Sequence, residues 1–330
     1  MFNHLKRREF ITLLGGAAAA WSLAARAQQA GVPVVGFVST RSPDDAARYA
    51  APFRKGLNEA GFVEGRNVAV EYHWLDGSYD RLPPVMADLV GRRVAVIVTP
   101  GSGPAALAAK AATATIPIVF GVGEDPVPLD LVASLARPGG NATGIHMVLG
   151  ETVARRLGLL HDLVPNATRI ALLLNPANAP NPTLRDVQQA ARALGMQIQV
   201  LKAATSREIE TAFESLGSEP ADALFVAPDA FYPSRRVQFA ILAARYRLPA
   251  TYPVRDFVEA GGLMSYGSDV ADAFHQIGVY TGRILKGAKP ADLPVIQSSK
   301  FELVINQPAA WALGITVPGD LLSIADQVIE

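Results

Sequence analysis

Short apolar runs alternate with amphipathic stretches along the chain. Residues 34–39, 68–74, 94–99 and 116–121 are rich in Val and Ile and predict strands. Most of these runs are continuous rather than alternating, the pattern of parallel strands covered on both faces. Between them, residues 44–60, 81–91 and 104–112 predict helices; Gly61 and Gly91 stand where C-caps fall, and Pro104 suits a first helical turn. Residues 137–144, Arg-Pro-Gly-Gly-Asn-Ala-Thr-Gly, read as a turn-rich break, after which the pattern restarts. Strands at 169–174, 197–201, 223–227, 250–252 and 262–266 then alternate with helices around 181–194, 206–216 and 234–246. This twice-repeated βα order predicts an α/β fold of two doubly wound, Rossmann-like lobes with parallel sheets and right-handed crossovers. The halves echo each other: each opens with a strand that passes through proline into a helix ending in Ala and Gly, at Ala60-Gly61 and near Ala193-Leu194-Gly195. After Tyr266 the pattern changes to a helix at 269–285 closed by Lys286-Gly287, a proline-punctuated stretch, a strand at 301–305 and a short helix at 308–313. A tail of this kind can cross back between lobes.

Composition narrows the function. Half of the 330 residues are apolar, ample for a core. A chain above about 250–300 residues usually splits its core, which agrees with two lobes. Basic and acidic residues balance at 30 each, so there is no basic surplus to hold nucleic acid. The chain has no cysteine, which excludes disulfides, thiolate nucleophiles, iron–sulfur clusters, thiolate zinc sites and a lipid-anchored N-terminus.

Residues 1–27 read as an export signal. Lys6, Arg7 and Arg8 are followed by an apolar run rich in Ala and Gly, and Ala25-Arg26-Ala27 fits a cleavage site that leaves Gln28 first. The string Lys6-Arg7-Arg8-Glu9-Phe10-Ile11 resembles the twin-arginine signal, which exports folded cargo. Cleavage would leave 26 basic and 29 acidic residues, a net charge of −3. The expected location is the periplasm, and no later run predicts a membrane span.

The candidate chemistry lies at strand ends. Thr99-Pro100-Gly101-Ser102-Gly103-Pro104 follows a strand and opens a helix, with the spacing of a weak dinucleotide fingerprint. A helix N-terminus with the Ser102 hydroxyl would hold any small anion, including a ligand carboxylate, or be a tight structural turn. The two adjacent acids Glu124 and Asp125, after the next strand, suit an ammonium group or cap a helix near Leu129. Trp74 and Tyr79 cluster around another strand end; Trp74 would stack on a ligand, or take a place in the core or between the lobes. Asn175, Asp229, Tyr232, Tyr252 and Tyr266 end strands of the second half, where open α/β sheets bind ligands. No histidine sits in a metal-ligand spacing and no nucleophile elbow appears, so no metal, cofactor or catalytic residue is assigned.

Several strings together are similar to one family. They are Leu57-Asn58-Glu59-Ala60-Gly61-Phe62 with Glu64-Gly65-Arg66-Asn67-Val68, Ile116-Pro117-Ile118-Val119-Phe120, and Asp125-Pro126-Val127. Leu131-Val132-Ala133-Ser134-Leu135-Ala136-Arg137-Pro138-Gly139-Gly140-Asn141-Ala142-Thr143-Gly144, Ile284-Leu285-Lys286-Gly287 through Pro290 and Pro294, and Leu303-Val304-Ile305-Asn306 continue the match. The chain resembles the extracytoplasmic solute-binding proteins of ABC transporters with the type I periplasmic-binding fold, tryptophan/tyrosine type. The resemblance implies two hinged lobes with crossings near residues 144, 266 and 288. The first lobe would take residues 28–144 and about 267–288, the second 145–266 and about 289–330. It also implies cleft positions at Ser39, Thr40, Ser102, Gly103, Asp125, Asn175, Asp229 and Tyr266.

The expected function is a monomeric, non-enzymatic receptor. It would bind a small zwitterionic solute, an amino acid or relative and aromatic in some members, and deliver it to an ABC transporter permease. Ser102 and its helix would take the carboxylate, Asp125 or Asp229 the amine, and Trp74, Tyr232 or Tyr266 would cover the side chain. The alternative is an exported α/β enzyme holding a cofactor or anion at the Gly101-Ser102-Gly103 turn.

Overall fold

The computed structural model describes residues 31–149, 152–176 and 182–330. The export signal read over residues 1–27 lies outside the described residues.

The first half supplies β1 (Val34–Ser39), α1 (Ala46–Glu59), β2 (Ala69–Trp74), α2 (Leu82–Gly91), β3 (Val96–Thr99), α3 (Gly103–Ala112), β4 (Ile118–Val122) and β5 (Ala142–His146). The second supplies α4 (Val153–Leu163), β6 (Arg169–Leu174), α5 (Pro182–Ala193), β7 (Gln197–Lys202), α6 (Ser206–Ser215), β8 (Ala223–Val226), α7 (Arg236–Arg245), β9 (Ala250–Tyr252), α8 (Asp256–Glu259) and β10 (Met264–Ser268). The rest forms α9 (Val270–Leu285), β11 (Ile296–Gln297), β12 (Phe301–Asn306), α10 (Gln307–Ala312), α11 (Gly319–Ile324) and β13 (Gln327–Ile329).

Two sheets result. One runs β11-β5-β4-β3-β1-β2 and is parallel throughout. The other runs β13-β12-β10-β9-β8-β6-β7 and is parallel except where β12 returns antiparallel to β10. Helices cover both faces of each sheet, which is why the strands read as unbroken apolar runs. On the first sheet Phe37, Val98 and Val119 pack toward α1 and α9, while Val38, Ile97 and Phe120 pack toward α2 and α3.

The chain passes from the first sheet to the second after β5, returns after β10, and leaves again after β11. The crossings expected near 144 and 266 fall slightly later, beyond His146 and Ser268. The one expected near 288 comes only after Gln297, because Ile296 and Gln297 pair with Ile145 and His146 on the edge of the first sheet. The two earlier crossings are tied together: the Ser268 hydroxyl donates to the Met147 carbonyl.

The helices α4, α8 and α11 and the strands β5, β11 and β13 are absent from the sequence reading. The turn-rich break contains β5, a fully buried strand of Ala, Thr, Gly, Ile and His. It opens on three small residues, and at Gly144 there is no room for more, since a Cβ there would stand 2.0 Å from the Phe120 carbonyl oxygen. The edge strands β11 and β13 are too short to give a periodic signal. Residues 126–130 form turns, so Asp125 caps no helix near Leu129.

The return helix α9 closes the first lobe. It lies so tightly against α1 that built Cβ atoms on Gly56, Gly278 and Gly282 would meet His275 O at 2.0 Å, Phe53 O at 2.1 Å and Ala60 Cβ at 2.2 Å. Backbone cannot yield as a side chain tip does. Gly278→Ala is therefore expected to cost about 1–3 kcal/mol of stability, read as a lower midpoint in thermal unfolding. An unchanged midpoint would show that the two helices have room to separate.

Candidate functional site

The C-terminal ends of the parallel strands from both sheets meet in one cleft. Its wall comprises Arg41 beyond β1, Gly101, Gly103 and Pro104 beyond β3, Gly123 and Glu124 beyond β4, and Met147 and Leu149 beyond β5. From the other lobe come Asp229 and Pro233 beyond β8, and Pro253 and Val254 beyond β9. Strand ends are where open α/β sheets expose backbone and loops to a ligand. The lobes stand close together, leaving about 50 Å³ of free space, room for one or two waters at about 30 Å³ each.

Asp229 carries the least satisfied polar group of the cleft. Its Oδ1 accepts from the Phe231 N–H at 2.8 Å and from Asn175 Nδ2 at 3.2 Å. Its Oδ2 is buried and has no hydrogen-bond partner. Burial pushes the carboxyl up to about 6 against the pull of those hydrogen bonds, and the negative charge of Glu124 adds to the rise. Tyr79 stands near both acids: burial first, then Asp229 and Glu124, raise its hydroxyl above the ordinary range.

Arg41 is bound to the opposite lobe. Its guanidinium donates to Asp256 Oδ2 at 2.9 Å and lies 4.3 Å from the Tyr49 ring centre. The Tyr49 hydroxyl donates to the other Asp256 oxygen, and Arg48 pairs with Glu259 beside it. Burial alone would raise the Asp256 carboxyl, but Arg41, Tyr49 and Arg48 together hold it below the ordinary carboxylate range. The Arg41 charge on the cleft wall is thus already balanced.

The helix terminus at Ser102 does not offer an open row of donors. The Gly101 and Ser102 N–H groups both donate to the Gly121 carbonyl, at 2.8 and 3.1 Å. The Ser102 hydroxyl accepts from the Ala105 N–H at 3.2 Å, and Pro104 has no N–H. Of that turn only the Gly103 N–H remains, and Glu124 Oε2 stands 3.3 Å from where a Gly103 Cβ would be.

Of the residues expected in the site, Gly103 and Asp229 line the cleft. Ser39, Ser102 and Asn175 are buried just behind its wall, where Ser39 Oγ accepts from the Arg41 N–H at 3.3 Å and Asn175 holds Asp229. Thr40, also buried, anchors the loop by accepting from the Gly77 N–H at 2.8 Å. The others stand elsewhere. Asp125 is exposed, its Oδ1 accepting from the Val127 N–H at 3.0 Å, an Asx turn that the Asp-Pro pair favours. Trp74 packs on the helix-covered face, 5.5 Å from Phe37 and stacked on Tyr72. Tyr232 is core, its hydroxyl donating to Ala203 O at 2.8 Å. Tyr252 stacks on Phe257 at 4.7 Å and Tyr266 on Phe301 at 6.2 Å. Sequence reasoning missed Arg41, just past a strand end; of the two adjacent acids it named after β4, it is Glu124 and not Asp125 that lines the cleft. It also missed Met147 and Leu149, which follow a strand it did not see. Among the described residues no group of acids and histidines could hold a metal, and no helix is long and apolar enough to cross a membrane.

Two α/β lobes that enclose a cleft of strand ends define a bilobed receptor. The family described as ABC transporter substrate binding protein matches residues 31–329, and the chain belongs to that family. A tyrosine-binding protein of Clostridioides difficile is 26% identical over 262 residues, spanning 79% of this chain and 75% of that one. A domain from Streptococcus pneumonia in complex with L-Trp superposes with a TM-score of 0.82 at 26% identity, covering 91% of this chain and all of that one. A ligand-free, open substrate-binding protein of Clostridium difficile superposes with a TM-score of 0.65 at 24% identity, covering 90% of this chain and 99% of that one. The chain is a transport receptor and not an enzyme, so the exported-enzyme alternative falls. Its work lies outside the cytoplasmic membrane, with a small molecule and a transporter permease as partners.

Proposed function

We propose that this receptor binds an amino acid or a closely related solute by its protonated amino group. The single observation that carries the reading is the buried Oδ2 of Asp229, partnerless on the cleft wall. A buried acceptor of this kind costs free energy until a donor arrives, and an ammonium group supplies both donor and charge. The tyrosine-binding relative and the L-Trp complex support the same ligand class. Tyr79, beside both acids, is the ring best placed to lie along the solute.

Closure follows from the two-lobed wall. A solute touching Gly103 and Asp229 contacts both lobes and so favours the closed arrangement, which the permease reads. The hinged lobes divide as residues 31–147 with 269–298, and 152–268 with 301–330. A twin-arginine signal removed near Ala27 would deliver the protein to the periplasm as a monomer.

Native mass spectrometry of the exported protein, followed by calorimetry against an amino-acid and amine panel, tests the reading. The expected result is an amino-bearing solute bound at one per chain. Retention of a sugar or an inorganic anion instead would overturn it.

A further inference from the structure

One buried charge in the second lobe has no counterpart. Arg156, in the first turn of α4, is fully buried. Its Nη2 donates to the Val226 carbonyl at 2.8 Å, and its guanidinium carbon lies 3.8 Å from the centre of the Phe225 ring. Its Nε and Nη1 are buried and have no hydrogen-bond partner among the described residues. Burial pushes the guanidinium down to about 9, with no charged neighbour contributing, so it stays protonated at neutral pH. One ring and one carbonyl offset only part of the cost of desolvating a full charge. Thr251 stands on the same face. It pairs in parallel register with Phe225, and neighbours in register project to one side of a sheet. That side is the one α4 covers, since Phe225 packs with Leu157 and Leu160 and α4 also rests on β9. The Thr251 hydroxyl is buried and partnerless among the described residues as well. Three unmet polar atoms thus lie under one helix, beside a positive charge. The place is close behind the cleft: β8 ends at Val226 just before Asp229, and Thr251 comes just before Pro253, both on the wall.

We propose that the second lobe seats a small monovalent anionic group, of halide or carboxylate size, between Arg156 and Thr251. Water would meet the hydrogen bonds and leave the charge unbalanced. An anion does both, and bonds to a charged partner are the stronger ones. A free halide and the solute's own carboxylate, reaching in beside Pro228 and Pro253 of the cleft wall, offer this same chemistry. The free-ion source stands independently of the receptor's solute; the carboxylate source rests on the amino-acid reading above.

Thermal unfolding of the mature protein in sodium chloride, bromide or gluconate, at equal ionic strength and pH 7.5, reads the free ion. The expected result is a midpoint about 2–5 °C higher in either halide than in gluconate. That gain is expected to vanish in Arg156→Met and to shrink in Thr251→Val. Calorimetry of L-tyrosine and L-tryptophan against tyramine and tryptamine reads the solute's carboxylate. If that group is the occupant, halides give no shift, and Arg156→Met weakens the amino acids by about tenfold or more while leaving the amines unchanged. A halide shift of equal size in wild type and both variants overturns the proposal. So does the absence of any halide shift together with amino acids and amines that respond alike to Arg156→Met; the amino-solute receptor then still stands. A protein that binds none of the four solutes yet shows the Arg156-dependent halide shift overturns the solute reading and keeps the anion seat. Thr251→Val carries the same comparisons if Arg156→Met does not fold.

Discussion

Asp229→Asn is expected to raise the melting temperature while weakening amine binding by roughly tenfold to a hundredfold. The two effects share one cause. The Asp229 carboxyl is raised from its ordinary 3.8 to about 6, chiefly by burial. Holding it ionised at neutral pH therefore costs about 3 kcal/mol. Asparagine keeps an oxygen for the Phe231 N–H and the Asn175 amide and removes the charge, so most of that cost disappears. The lost ammonium–carboxylate bond is worth about 1.5–3 kcal/mol in affinity. Between pH 3.8 and about 6 the folded state holds more protons than the unfolded chain. The Asp229 contribution to stability therefore falls as pH rises through that window and is flat above it. Binding runs the other way, since the ammonium needs the ionised carboxylate: affinity falls by about tenfold per pH unit below about 6. Thermal unfolding and calorimetry at pH 5 and 7.5, on wild type and variant, read all of this. A variant that melts lower, or binds amines as wild type does, would remove Asp229 from the role given it.

Arg41→Ala is expected to weaken ligand binding by about a hundredfold or more without touching the amino end of the solute. Asp256 is 2% exposed and keeps its charge because Arg41, Tyr49 and Arg48 surround it. Removing one partner of a buried pair typically costs about 3–5 kcal/mol. Arg41 follows β1 and Asp256 opens α8, so the pair spans the two lobes. With the lobes parted, water can solvate the lone aspartate, and the penalty falls on the closed state that holds the solute. The double variant Arg41→Ala with Asp256→Ala leaves neither charge stranded and should recover much of the affinity. Additive losses in that cycle would show that the pair does not govern closure. Because the Asp256 carboxyl is held below its ordinary range, its contribution persists through mildly acid pH and is lost only as pH falls below that range.

The fold was legible wherever apolar runs were long. The parallel strands β1, β3, β6 and β8 are continuous and buried, and periodicity finds such runs. β5 was hidden because it opens on Ala-Thr-Gly, with Gly144 held small by close packing, and these residues continue the Gly-Gly-Asn turn pattern before them. The site was legible by rule rather than by residue. Strand ends were the right place, but which of two adjacent acids turns inward is a matter of local backbone. Asp125 spends its oxygen on the Val127 N–H and faces out, which leaves Glu124 for the cleft. Tyr232 and Tyr252 satisfy the core before they can serve a ligand, and Trp74 takes the core role that was one of its two readings.

The threading of the chain bears on its biogenesis. The hydrophobic seat of Tyr49, Phe37 and Phe53 is closed by Phe274 and Ile277, which follow the second sheet's β10. The edge of the first sheet waits for Ile296. A nascent polypeptide stalled at Ser268 would therefore have made the whole of the second lobe's parallel strand set and still own no finished first lobe. The first sheet is complete only once Gln297 has been made and the second only once Ile329 has, so each half waits for the last part of the chain.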